Sequence, residues 1–70
     1  MKDWREYLKG LLSRSVIHFI GEYFEDRNIH APTIQQICDV PHDDLMNSWL
    51  SVPSMKEFML FQQQYKGGAH

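Results

Sequence analysis

The stretch TIQQICDVPHDDLMNSWLSVPSMKEF, Thr33 to Phe58, decides how this chain folds. It reads as three short helices separated by sharp turns. Thr33 and Gln36 have capping-box spacing, in which each side chain satisfies a free backbone N–H of the other. Ile34, Ile37 and Cys38 then fall on one helical face. Pro41 either ends that helix or opens the next, because proline fits a first helical position. HDDLMNSWL, His42 to Leu50, forms the third element, with Asp43 and Asp44 in a first turn where the helix dipole favours carboxylates. On that helix Leu45 and Trp49 share one side, and Met46 and Leu50 the adjacent one. SVPS breaks the chain again, and Ser54 with Glu57 repeats the capping-box signature.

From there a last helix is expected over about Met55 to Lys66, stopping at Gly67-Gly68. Its four consecutive apolar residues, Phe58 to Phe61, cannot all face one core, so this helix is either sandwiched or meets a partner. Upstream, Asp3 to Arg27 carries a helical apolar stripe through Trp4, Leu8, Leu11, Leu12, Val16, Phe19, Ile20, Tyr23 and Phe24. Asp3 is a candidate cap. Gly10 and Ser13-Arg14-Ser15 weaken the middle, which allows two helices meeting near Ser13. Asn28 is a candidate left-handed stop, and Pro32 pushes Ala31 out of helical geometry. No segment alternates as a strand. The fold expected is all-α: a small bundle of four to five short helices containing a helix-turn-helix-like unit, with residues 1–66 as one domain and 67–70 as a flexible tail.

Seventy residues form one domain. A chain this short buries only roughly 60% of its unfolded surface, so it needs a dense core or a partner. Cys38 is the single cysteine, which rules out an internal disulfide and fits a reducing cytoplasm. No apolar run approaches membrane-spanning length, and the N-terminus lacks a signal peptide's apolar core. The formal net charge of −2 does not suggest a generic nucleic-acid binder. Its distribution says more: Lys2, Arg5, Lys9 and Arg14 open the chain, whereas Asp39, Asp43 and Asp44 are the only formal charges from Asn28 to Met55.

VIHFIGEYFEDRNIHAPTIQQIC, Val16 to Cys38, resembles the opening of tetracycline-repressor-like regulators. Phe24 fits that family's helix-ending Phe, Asn28 its turn glycine, and Ile29 its aromatic. Thr33 fits the capping Thr, and Ile37-Cys38 the Ile-Ala pair. VPSMKEFM, Val52 to Met59, resembles the Ser-capped opening of the family's fourth helix. The resemblance covers about half the chain and implies a DNA-binding helix-turn-helix. The family's Gly-Val-Ser turn is missing. One register puts His42-Asp43-Asp44 there, with Trp49 at the aromatic that contacts phosphate in the family. Another aligns Val40-Pro41 with Val-Ser and shortens the turn. The family's ligand-binding, dimer-forming C-terminal domain has no counterpart, so no small-molecule ligand is implied.

Two functions follow as expectations. The first is a DNA-binding regulator of transcription or genome maintenance, acting as a homodimer. Its contacts would be Thr33, His42, Asn47, Ser48, Trp49 and Lys56, with Lys2 and Arg5 on an N-terminal arm. Asn can pair with adenine, but Asp43 and Asp44 at the leading end of the reading helix oppose phosphate. The second is a protein-binding module, an inhibitor or adaptor of a larger protein, acting through Met55, Phe58, Met59 and Phe61 and the acidic turn. Methionine-rich apolar surface adapts well to partners, although a chain this small must turn most aromatics inward. His30, Cys38, Asp39 and His42 lie close in sequence, yet Pro41 interrupts the Cys38–His42 spacing and a structural zinc site needs four placed ligands. No metal or cofactor is expected. Nor is catalysis, since no nucleophile–base pair, Gly-rich phosphate loop or paired-carboxylate motif is present.

Overall fold

The computed structural model describes residues 4–68, with side chains through Tyr65, as five helices. They are α1 (Trp4–Leu8), α2 (Arg14–Glu25), α3 (Ile34–Cys38), α4 (His42–Met46) and α5 (Val52–Gly68). Asp3 and Lys2 lie outside the described residues, as do residues 69 and 70 of the expected tail. The all-α expectation holds, and no described residue is in a strand.

The N-terminal stripe does break, into α1 and α2. Leu11 and Leu12 both send their N–H to the Leu8 carbonyl, at 2.8 and 2.9 Å, which closes α1 in a tight turn. That turn buries Leu12 and leaves Leu11 exposed, outside the stripe. Ser13 then stands extended as the N-cap of α2 (φ −72°, ψ 164°). Its backbone N–H is satisfied across the molecule by Glu57 Oε1 at 3.1 Å. On α2, Val16, Phe19, Ile20 and Phe24 are buried, spaced as one helical face. Beyond Glu25 the chain makes one further turn and reverses at Asn28, whose φ of 60° is the one left-handed non-glycine conformation among the described residues. Asn28 N–H returns to the Glu25 carbonyl (2.9 Å) and Ile29 N–H to that of Phe24 (2.8 Å), which satisfies the helix's last acceptors.

The Thr33–Gln36 capping box forms in both directions: Gln36 N–H donates to Thr33 Oγ1 (3.1 Å), and Thr33 N–H to Gln36 Oε1 (2.9 Å). After α3, Pro41 is the extended N-cap of α4. The short helices α3 and α4 each pack on α5. Gln62 of α5 fixes the turn between them. Its buried Nε2 donates to the carbonyls of Ile37 (3.2 Å) and Val40 (3.1 Å). Both neighbours can only accept, so the orientation of this amide is forced.

Several expectations need correction. The third element stops at Met46 rather than Leu50. Ser48 is the cause: its Oγ donates to the Leu45 carbonyl at 2.6 Å and accepts from Leu50 N–H at 3.3 Å, which turns the chain away from the helix axis. Leu45 and Leu50 are therefore buried together, while Met46 and Trp49 are exposed. The last helix begins at Val52, not Met55. Ser51 caps it, accepting from Ser54 N–H (3.4 Å), and Pro53 sits in the first turn where no N–H is needed. The Ser54–Glu57 box does not form, because Ser54 already lies inside the helix that Ser51 caps, and Glu57 Oε1 accepts instead from Ser13 N–H. The helix continues through Gly67 and Gly68, beyond the stop that the glycine pair suggests.

Phe58 (0% exposed) and Phe61 are core residues, not partner surface. Met55 and Met59 are half-buried against the same core. Phe58 meets Phe19 edge-on, with ring centroids 6.1 Å apart. Of the four-residue apolar run only Leu60 is largely exposed. The α5 helix is thus sandwiched between α2 and the α3–α4 pair.

Candidate functional site

The C-terminal part of α2 presents a row of polar side chains to the segment around α4. His18 and Glu22 lie one turn apart, as do Tyr23 and Arg27. Tyr23 OH donates to Asp44 Oδ2 at 2.6 Å, and Arg27 Nη2 stands 3.5 Å from the same oxygen. The Arg27 guanidinium also lies over the Tyr23 ring, 3.6 Å from its centre, and donates to the Tyr23 carbonyl. Asp44 is therefore tied to α2 as well as favoured by its place in the first turn of α4. Glu22 accepts from Trp49 Nε1 at 3.0 Å. The Trp49 ring rests against Phe19 (6.4 Å, edge-on) and His18 (5.7 Å). More than half of Trp49 (56%) stays exposed despite these contacts.

Trp49 stands between two grooves. The first, about 740 Å³, has Arg5, Lys9, Arg14, His18, Ile17 and Trp49 among its lining, with Glu6 as its one carboxylate. Its walls are largely apolar, and its cations belong to α1, to α2 and to the link between them. Arg5 lies over the Trp4 ring at 4.5 Å. The second groove, about 920 Å³, is lined by Glu22, Glu25, Asp26 and Asp44 against a single guanidinium, Arg27.

Burial pushes the Tyr23 phenol above its ordinary 10.0, with the hydrogen bond to Asp44 adding to the shift and Arg27 opposing it. A raised folded value means that Tyr23 contributes stability fully below pH 10.0 and loses it as the pH rises through the folded pKa. Spectrophotometric titration in a Tyr7→Phe/Tyr65→Phe background, where Tyr23 is the remaining tyrosine, should show a midpoint above the ordinary phenol value. Adding Asp44→Asn should move it down. A midpoint unchanged by Asp44→Asn would mean that the hydroxyl does not bond the carboxylate.

The residues expected to touch DNA are scattered by the fold. Thr33 Oγ1 is occupied as a cap. Ser48 Oγ is occupied in its turn. His42 opens α4 and Asn47 closes it, both exposed. Lys56 is exposed on α5. Arg5 and Trp49 share the first groove, and Asn47, Ser48 and Trp49 the second; Thr33, His42 and Lys56 line neither. Lys2 lies outside the described residues. Sequence reading misses Ile17, His18, Glu22 and Tyr23 as surface-organising residues. The available signal is the pair of one-turn spacings, His18/Glu22 and Tyr23/Arg27, on the polar side of an amphipathic helix.

Among the described residues no three His, Cys, Asp or Glu side chains are grouped to hold a metal, and no helix is long and apolar enough to cross a membrane. Cys38 is buried. Compared with known protein families, characterised proteins and solved structures, the chain matches none.

Proposed function

We propose that this protein is a non-enzymatic protein-binding module, an inhibitor or adaptor of a larger protein, and that its partner docks an acidic segment with an apolar anchor in the groove beside Trp49. The supporting observation is the chemistry of that groove: apolar walls at Ile17 and Trp49, rimmed by Lys9, Arg14 and Arg5. A half-exposed tryptophan held edge-on by Phe19 and by Glu22 is a rigid anchor point. Cations at the rim steer an acidic partner and fix its register.

DNA binding by α3 and α4 is the competing reading, and charge weighs against it. A reading helix of five residues would lead with Asp43 and Asp44. The cationic groove has four carboxylates just across Trp49. Duplex DNA, whose major groove alone is about 12 Å wide, would face both signs at once on a protein measuring 32 × 31 × 20 Å. A peptide segment need occupy only one groove.

The test pairs affinity capture from the source cell's lysate with a gel shift on pooled genomic fragments at low salt. One dominant protein should be captured by the native chain and lost with Trp49→Ala and with Lys9→Glu/Arg14→Glu, while no DNA is retarded. Capture that survives both variants would remove the groove from the reading. DNA retained at low salt, released steeply as salt rises and lost with Lys9→Glu/Arg14→Glu would overturn it in favour of nucleic acid.

A further inference from the structure

The two grooves differ in sign and share one wall. On one side of Trp49 stand Arg5, Lys9 and Arg14; on the other stand Glu22, Glu25, Asp26 and Asp44. Two patches of opposite charge, side by side across a protruding aromatic, are self-complementary under a two-fold rotation. A second copy turned about an axis at Trp49 lays its acidic groove over the basic groove of the first, and its basic groove over the acidic one. Each contact is then made twice, as in any isologous interface. The two tryptophans meet at the centre, where aromatic anchors carry most interface energy.

We infer that the chain self-associates through this face as a symmetric dimer, with a second copy occupying both grooves when no other partner does. Like-facing arrangements that set basic groove on basic groove are repelled, so the charge pattern selects the two-fold arrangement over a parallel one. Glu22 and Asp44 are already engaged with Trp49 and with Tyr23 and Arg27. The outer carboxylates are Glu25 and Asp26, both exposed; Glu25 stands 3.3 Å from His30 Nδ1 at the surface, and with Asp26 it faces Lys9 and Arg14 of the other copy. A standard interface buries about 1,200–2,000 Å² in total, a large share for two molecules of 4952 Å² each. The dimer is accordingly weak, concentration-dependent and sensitive to salt, since its rim pairs are solvent-exposed.

A charge-swap experiment on the purified chain tests this without any other protein, so its outcome is independent of whether a cellular partner exists. Lys9→Glu/Arg14→Glu and Glu25→Lys/Asp26→Lys each alter one groove. Both leave the helices well supported: Arg14→Glu adds an acid at the start of α2, and Glu25→Lys and Asp26→Lys add bases at its end, where the dipole favours each sign. Sedimentation equilibrium should find a monomer–dimer system for the native chain that weakens as salt rises. Each variant alone should dimerise at least about tenfold more weakly. An equimolar mixture should recover dimer, because every reversed contact in the mixed pair is again opposite in sign. A native chain monomeric at every concentration overturns the inference, as does a dimer indifferent to both variants, or two weakened variants whose mixture recovers nothing.

Discussion

A Gln62→Glu protein is expected to be largely unfolded at neutral pH and to regain structure on acidification. The wild-type amide sits 3% exposed, and its Nε2 donates to the carbonyls of Ile37 and Val40. Among the described residues Gln62 Oε1 has no hydrogen-bond partner, and the amide is held by its two donations. A carboxylate in its place puts two lone-pair-bearing oxygens against two carbonyls in a site that excludes water. Leaving a buried charge uncompensated costs roughly 3–5 kcal/mol. That is comparable to the whole stability of a domain this size, at roughly 0.05–0.15 kcal/mol per residue.

The pH dependence follows in sign. Burial beside carbonyls raises the folded pKa of the introduced carboxyl above the unfolded glutamate value of about 4.3. The folded state then binds more protons than the unfolded one, so stability falls as pH rises from about 4.3 toward the folded pKa. Below that window the protonated acid donates one hydrogen bond where the amide gave two. Urea titrations at about pH 4 and pH 7, either side of the unfolded value, each referred to the wild type at the same pH, measure the effect. Gln62→Leu serves as the uncharged control: it should lose about 1–3 kcal/mol for two orphaned carbonyls, with no added pH dependence. Equal losses for Gln62→Glu at both pH values would show that the site is open to water.

Phe58→Ala should be the most damaging apolar truncation. Phe58 is fully buried, is the largest such side chain among the described residues, and meets Phe19 across the α2–α5 contact. Large-to-small changes of this kind cost roughly 3–5 kcal/mol, part from lost transfer energy and part from the cavity. Little or no cooperative thermal transition should remain by circular dichroism. Leu60→Ala, two positions on, should shift stability by no more than about 0.5 kcal/mol, because 55% of Leu60 is already in water. Similar losses for both variants would place the run differently on α5.

The contrast between Phe58 and Leu60 bears on how much the residues reveal in advance. The apolar run predicts that some of its members stay out of the core, and Leu60 does. Which members turn inward is not legible from the run, because that depends on where the helix starts and on which helices flank it. Gln62 is legible and easily overlooked: it lies one turn beyond Phe58, on the buried face, inside a polar-looking Gln-Gln-Gln run. Local capping reads correctly at Thr33 and Asn28, where the partners sit within five residues. It misleads at Ser54, where the helix starts earlier under the Ser51 cap and Glu57 is left to accept from the distant N–H of Ser13.

By itself the sequence determined the helical class, the breaks near Ser13 and at Asn28, and the capped start of α3. Each of these depends on dihedral preferences and hydrogen bonds that a few neighbouring residues supply. Only the tertiary structure decided where Trp49 stands, that Asp44 is tied to Tyr23 and Arg27, and that opposite charges gather on the two sides of Trp49. The bonds Tyr23–Asp44 and Glu22–Trp49 join residues 21 and 27 positions apart. They exist because the hydrophobic core sets α2 beside the turn after α4, and burial of apolar surface is non-directional and indifferent to separation along the chain.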